Sequence, residues 1–290
     1  MLNLLFALVL SQAAPAQPLT VDAARQEIEK LIAASGAEVA VAYTPLQDGG
    51  AGIVIDADKT FHAASTMKVP VMIELFRQAE AGQLSLGDPI TVTNVFKSIV
   101  DGSPYELSAT EDSDGEVYKA IGKTMTLRQL VTASIIVSSN LATNILIEKL
   151  GPENVRKTVS ALGADGMLVL RGVEDQKAFD KGLNNATTAR ALMVLMEKIA
   201  RGEAVSRPAS RAMADILRMQ QFNDAIPAGL PPDVPVGHKT GSITRISHDA
   251  AIVYAEKPYV LVLLTRGIED GKTSAALMAG ISRVIFSIQR

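Results

Sequence analysis

Apolar residues at Val21, Ala24, Ile28, Leu31 and Ile32 fall on one face of a helix, so residues 20–34 are expected to be helical, with Gly36 as the stop. Residues 38–44 and 52–55 read as two strands joined by the turn-forming run Gln47-Asp48-Gly49-Gly50, a hairpin. The pattern then changes. Val69, Val71, Met72, Ile73, Leu75 and Phe76 make the next stretch apolar on nearly every side, which predicts a helix deep in the interior that stops near Gly82. Pro70 has no N–H and is tolerated only in a first helical turn or at a kink, so this helix starts at or next to Ser65. Residues 88–123 are polar and turn-rich, with Asp101, Glu106, Glu111, Asp112, Asp114 and Glu116, and are expected to form a solvated loop.

A long helical stretch follows, with Thr126 as N-cap, Gly151 as a stop, Pro152 opening the next helix and Thr187 capping another over 189–200. Beyond a helix from about 208 to 221, prolines at 227, 231, 232 and 235 lead into a strand-like segment, Val236 to Ile243. Two further strands, 250–255 and 259–265, turn at Lys257-Pro258, and a helix over about 270–288 closes the chain. Strands near both ends and helices between them predict an α/β fold, a sheet closed by both termini with a helical insertion.

With 290 residues, 48% of them apolar, the chain is long enough for one large domain or two closely packed lobes. A net charge of -3 without a dense basic run argues against nucleic acid or an anionic membrane surface as partner. There is no cysteine, which excludes disulfides and thiolate chemistry, and the three histidines (His62, His238, His248) lack ligand spacing, so neither a metal nor a cofactor is expected. Residues 1–16, with the apolar run Leu4 to Leu10 ahead of Ala14-Pro15-Ala16, are expected to be a signal peptide, although no basic residue precedes the run. No later run reaches the roughly 18 apolar residues of a membrane span. A secreted or periplasmic, soluble, monomeric protein is expected.

Three short stretches carry candidate chemistry. Ser65-Thr66-Met67-Lys68 puts a hydroxyl and an amine on one helix face, at a helix start whose free N–H groups can stabilise an oxyanion. Ser138-Ser139-Asn140, with Asn144 one turn further on, places a hydroxyl and an amide side chain at a break between helices. His238-Lys239-Thr240-Gly241-Ser242 is strand-like, with a glycine that permits close approach to the backbone. A Ser-x-x-Lys occurs about once by chance in such a chain, and Lys-Thr-Gly about a tenth of a time, so the three in order are far more specific than any one.

In that order and at those separations, S-x-x-K, S-x-N and K-T-G resemble the motifs of the penicillin-recognising serine hydrolases, and of class A β-lactamases above all, over roughly residues 20–290. The resemblance implies a β-lactamase/transpeptidase-like fold: an antiparallel sheet flanked by helices plus an all-helical lobe, with the site between them. A single catalytic domain over 17–290 would have its α/β lobe at about 18–64 and 205–290 and its helical lobe at about 65–204. The implied activity is hydrolysis of a small-molecule β-lactam through an acyl-enzyme; the alternative is a penicillin-binding-protein-like D,D-peptidase or related esterase with slow deacylation. Ser65 would be the nucleophile, with the N–H groups of Ser65 and Ser242 forming the oxyanion hole. Lys68, desolvated and crowded by Lys239, would be the base, and Ser138 would pass a proton to the leaving nitrogen. Lys239, Thr240 and Ser242, with Gly241 between them, would hold the substrate carboxylate, and Asn140 its amide side chain.

The deacylating carboxylate is less direct. The family's R-x-E-x-x-L-N loop corresponds to residues 171–184, where Glu174 matches in distance from Ser138 and Asp180 matches the local D-x-x-L-N pattern. Glu174 is the favoured choice. Three departures stand out: Ser139 replaces an acidic residue, His248 or Arg245 stands where a carboxylate-binding cation is usual, and either Tyr105 or Tyr118 lines the cleft.

Overall fold

The computed structural model describes residues 19–288 except position 48. The expected signal peptide lies outside the described residues. Helix α1 (Val21–Ser35) starts at Thr20, whose hydroxyl accepts the Ala23 N–H, and ends on Gly36 at φ 64°. Strands β1 (Glu38–Pro45) and β2 (Ile53–Ile55) form the expected hairpin, with Val41 opposite Ile55. After β3 (Phe61–His62), a 3-10 turn over Ala64–Met67 runs directly into α2 (Lys68–Glu80), and every residue from Lys68 to Phe76 is buried. The buried Glu74 of that helix is satisfied by Arg77, Gln78 and the Thr158 hydroxyl, the last at 2.5 Å.

Residues 88–123 are largely exposed, as their composition predicts, but they are not a bare loop. They carry β4 (Pro89–Thr91), which pairs with β7 (Thr124–Thr126), and the short pair β5 (Phe96–Lys97) and β6 (Pro104–Tyr105). Val92, Phe96, Leu107 and Val117 anchor the segment in the main core, and Asn94 exchanges two hydrogen bonds with the Leu107 backbone. A few apolar anchors hold the segment, together with polar contacts from Ser98 to Asp175, from Ser113 to Val137 and from Asp112 to Asn140; such anchors have no periodicity for a sequence reading to detect.

Helix α3 (Leu127–Ile136) opens with a capping box between Thr126 and Gln129. Then come α4 (Asn140–Leu150), α5 (Pro152–Ala161), α6 (Gln176–Asp180), β8 (Ala186–Thr187), α7 (Ala189–Arg201) and α8 (Arg207–Leu217). The cap of α7 is Thr188 rather than Thr187: its hydroxyl accepts the Ala191 N–H at 3.1 Å, while Thr187 pairs in β8 with Phe61. The chain ends with β9 (Val236–Ile243), β10 (Ile246–Val253), β11 (Tyr259–Arg266) and α9 (Gly271–Ser287). Strand β10 starts earlier than residue 250 because its polar first half, including His248 and Asp249, is buried between strands instead of lying in a turn.

The five strands pair antiparallel in the order β2-β1-β11-β10-β9. Alternation divides the core. Val39, Val41, Tyr43, Leu261 and Leu263 face α1 and α9, whereas Ala40, Ala42, Val260, Val262 and Leu264 face the larger core shared with α2, α4 and α7. The architecture is the α/β arrangement expected, an antiparallel sheet between helices with a helical mass continuing from one face. Leu263 is fully buried on the central strand, and Leu263→Ala is expected to lower unfolding free energy by about 2–5 kcal/mol in a denaturant titration.

Candidate active site

Ser65 sits one residue into the 3-10 turn, after Ala64, a non-glycine residue with φ 45°. Strand β9 lies hard against this turn: a Cβ at Gly241 would come within 2.9 Å of the Ser65 nitrogen and 3.0 Å of that of Thr66. The glycine therefore serves the packing of strand on turn, in addition to lining the cavity beside Ser65.

The second and third motifs meet behind Ser65. Ser138 stands between α3 and α4 at φ 60°, and its hydroxyl receives both amines: Lys68 Nζ at 3.2 Å and Lys239 Nζ at 3.0 Å. Lys68 also donates to the Ser138 carbonyl at 2.6 Å and to Asn140 Oδ1 at 2.8 Å, and Lys239 to the Thr240 carbonyl at 2.7 Å. These bonds occupy the lysine, and among the described residues no hydrogen bond joins it to the Ser65 hydroxyl. Both side chains are fully buried. Burial is the first cause of the Lys68 pKa falling to about 7, while Asp112 and Glu174 pull the other way. The two amines also crowd each other across the shared Ser138 hydroxyl, which disfavours charging both. The Lys239 pKa is driven well down, first by burial and then by the Lys68 charge, with Asp249 opposing.

Asn140 extends this cluster: its Nδ2 donates to Glu174 Oε1 at 2.8 Å. Burial raises the Glu174 pKa, Asn140 and the Ser108 amide lower it, and Asp112 and Glu111 raise it further. Asp180 is outside the cluster, exposed at the end of α6 and bonded to Gln176. Glu174 has φ 62°, and its loop is tightly held. Asn144 clamps Val173 from both sides, accepting its N–H at 2.7 Å and donating to its carbonyl at 3.0 Å, and a Cβ on Gly172 would strike Asn144 Oδ1 at 2.5 Å. Asp175 caps α6 and also accepts from the Ser98 hydroxyl and the Ile99 N–H, both at 2.9 Å. Asn144, a polar residue within an apolar helix, was a visible signal for this clamp; Asp175 had none.

The departures resolve differently from their sequence reading. Ser139 does cap α4, accepting the Ala142 N–H, but a carboxylate reaches the same helix end from elsewhere: Asp112 accepts the Asn140 and Leu141 N–H groups. His248 is not a cation. It is buried, accepts the Thr265 N–H at Nδ1 and bonds the His62 carbonyl through Nε2, and burial pushes its pKa to about 4. Arg245 bonds the Gly267 carbonyl on an exposed turn and lines neither cavity. Neither tyrosine lines the cleft: Tyr105 lies behind the Glu174 loop against Asn144 and Val173, and Tyr118 beside Asp112.

Two cavities meet at Ser65. One, of about 590 Å³, is lined by Ser65, Ser138, Asn140, Thr240, Gly241 and Ser242 among others; the second, of about 340 Å³, joins Ser65 and Asn140 to Glu174, Val173 and Phe179. Residues 23–289 match the sequence model of a family described as the β-lactamase enzyme family. The chain belongs to that family. It is 28% identical to a β-lactamase from Bacillus licheniformis, covering 79% of this chain and 72% of that protein, and 26% identical to one from Streptomyces albus G, covering 92% and 84%. In three dimensions it is similar to the crystal structure of a β-lactamase from Sphaerobacter thermophilus, with a TM-score of 0.77 and 25% identity over 90% of this chain and 96% of that one. The structure thus gives the β-lactamase/transpeptidase-like fold that the motifs implied. For this β-lactamase-family chain, Gly241→Ala is expected to cost about 1–3 kcal/mol of stability, because backbone rather than a flexible side chain faces the added methyl group; chemical denaturation measures it.

Proposed function

We propose that this member of the β-lactamase family is a class A-like serine β-lactamase whose acyl-enzyme forms on Ser65 and is hydrolysed by water activated by Glu174. One observation carries the reading: the Asn140 amide joins Lys68 to Glu174 while Ser138 joins Lys68 to Lys239, so five of the proposed site residues form one hydrogen-bonded chain beside the Ser65 cavity.

Lys68, with a pKa of about 7, is partly neutral at physiological pH. On substrate binding it turns from Ser138 to Ser65 and takes the hydroxyl proton as Ser65 Oγ adds to the lactam carbonyl. The N–H groups of Ser65 and Ser242 stabilise the oxyanion at the start of the helix. Ser138, with an amine on either side, gives its proton to the lactam nitrogen as the C–N bond breaks and recovers one from Lys68. Lys239, Thr240 and Ser242, beside Gly241, hold the substrate carboxylate, and Asn140 holds the acyl amide. Glu174 then takes a proton from water, which attacks the ester; as the ester C–O bond breaks, that proton passes back to Ser65 Oγ and both residues return to their starting state, the raised pKa of Glu174 strengthening it as a base.

The site lies where the α/β lobe (about 18–64 and 205–290) meets the helical lobe (about 65–204), and together they act as one catalytic domain, monomeric and without cofactor. Residues 1–16 direct export to the periplasm or medium; among the described residues no helix is long and apolar enough to cross a membrane.

The purified protein is expected to hydrolyse a chromogenic cephalosporin over many turnovers, and Ser65→Ala to abolish this. Glu174→Gln is expected to slow deacylation by about 10²–10⁴-fold, so that intact-mass spectra show an accumulated acyl-enzyme, with Asp180→Asn behaving as the parent. A single long-lived adduct on the unmodified protein, without turnover, would instead support a penicillin-binding-protein-like peptidase. Trapping by Asp180→Asn alone would overturn the choice of Glu174.

A further inference from the structure

A short segment outside the three motifs grips the site from the loop before β7. One oxygen of Asp112, Oδ2, accepts the backbone N–H of Asn140 at 2.9 Å and of Leu141 at 3.0 Å. The neighbouring Ser113 donates its hydroxyl to the Val137 carbonyl at 2.6 Å. These contacts lie on either side of Ser138, whose left-handed backbone costs about 1–3 kcal/mol and persists only where its surroundings impose it. The Ser139 hydroxyl satisfies only the Ala142 N–H, so Asp112 takes the remaining free amides, those of Asn140 and Leu141, at the start of α4.

We infer that Asp112 and Ser113 form a positioning splint, holding Ser138 between the two lysines and the Asn140 amide between Lys68 and Glu174. The splint's meaning for catalysis rests on the proposed roles of those residues. Because Asn140 is held through its backbone by Asp112, while its side chain accepts from Lys68 and donates to Glu174 at 2.8 Å each, displacement of this one residue moves both bases together.

The splint also brings a charge. Lys68 is faced by Asp112 and Glu174, which favour its ammonium form, and by Lys239, which bonds the same hydroxyl. Glu174 is faced by Asp112 and Glu111, which disfavour its carboxylate, and by the Asn140 and Ser108 amides, which favour it. The buried Tyr118 hydroxyl faces Asp112 as well. Removing the Asp112 charge therefore lowers the pKa of Lys68 and of Glu174 alike, a direction that loss of a helix cap alone does not produce.

Two substitutions separate position from charge. Asp112→Asn keeps an oxygen that can accept both N–H groups and removes the charge; Asp112→Ala removes both. Lys68 is titrated in the whole protein by ¹³C NMR of labelled lysine, its resonance assigned by loss in Lys68→Met, and turnover of a chromogenic cephalosporin is followed against pH. In Asp112→Asn the Lys68 midpoint is expected to fall, by on the order of one pH unit from near 7, because one of the two carboxylate charges that favour its ammonium form is lost, and the acid limb of kcat/KM to move down with it. Asp112→Ala is expected to lose activity on the order of 10²-fold, largely recovered in Asp112→Asn. A Lys68 midpoint unchanged in Asp112→Asn, or full activity in Asp112→Ala, overturns the inference. If the unmodified protein turns over no β-lactam, the proposed function fails while the Lys68 midpoint still decides whether Asp112 governs the cluster.

Discussion

The site depends on two lysine amines buried against one hydroxyl. Each lysine has left water completely, and an unpaired charge in that position would cost several kcal/mol. The protein answers with oxygen ligands, namely the Ser138 carbonyl and hydroxyl, Asn140 Oδ1 and the Thr240 carbonyl, and with carboxylates nearby at Asp112, Glu174 and Asp249. It also lets the pKa values fall, so that the two amines need not both be charged. Burial thus underlies the proposed chemistry: the desolvation that makes these lysines costly brings the Lys68 pKa down to about 7.

Keeping the lysines dry shapes the surrounding fold. Helix α2 brings Lys68 into the core because the helix is covered on every side. Lys239 lies on β9, at the edge of the sheet, where it would face solvent if the 3-10 turn and α8 did not pack over the strand. Gly241 permits that close packing, and the positive φ of Ala64 accompanies the turn that presents Ser65.

Backbone strain collects at the same place. Of the five non-glycine residues with positive φ among the described residues, Ala64, Ser138 and Glu174 belong to the site. Each is enforced by neighbours: β9 against the first, the Asp112–Ser113 contacts around the second, and the Asn144 clamp with the Asp175 cap around the third. Asn140 connects these units, since its one amide group touches both the proposed acylating base and the proposed deacylating base. The proposed acylating and deacylating groups therefore share one structural support.

Much of the fold was legible locally. Helices α1, α2, α7 and α9 and strands β1, β9 and β11 follow from the pattern of apolar residues, and the bounds of α3, α4 and α5 from the caps Thr126, Gly151 and Pro152, because those signals depend on residues a few positions apart. The three motifs were likewise readable, since a hydroxyl and an amine three residues apart share a helix face whatever surrounds them. The sequence alone could not distinguish Thr187 from Thr188 as a cap, and it missed the core anchors of the largely exposed segment 88–123 because those anchors are aperiodic. Nor could it show that Asp112 reaches α4, that Glu174 and not Asp180 meets Asn140, or that His248 is buried and neutral. Those facts are contacts across 28 to 186 residues of chain, made by side chains whose burial and partners exist only after the helices have packed on the sheet.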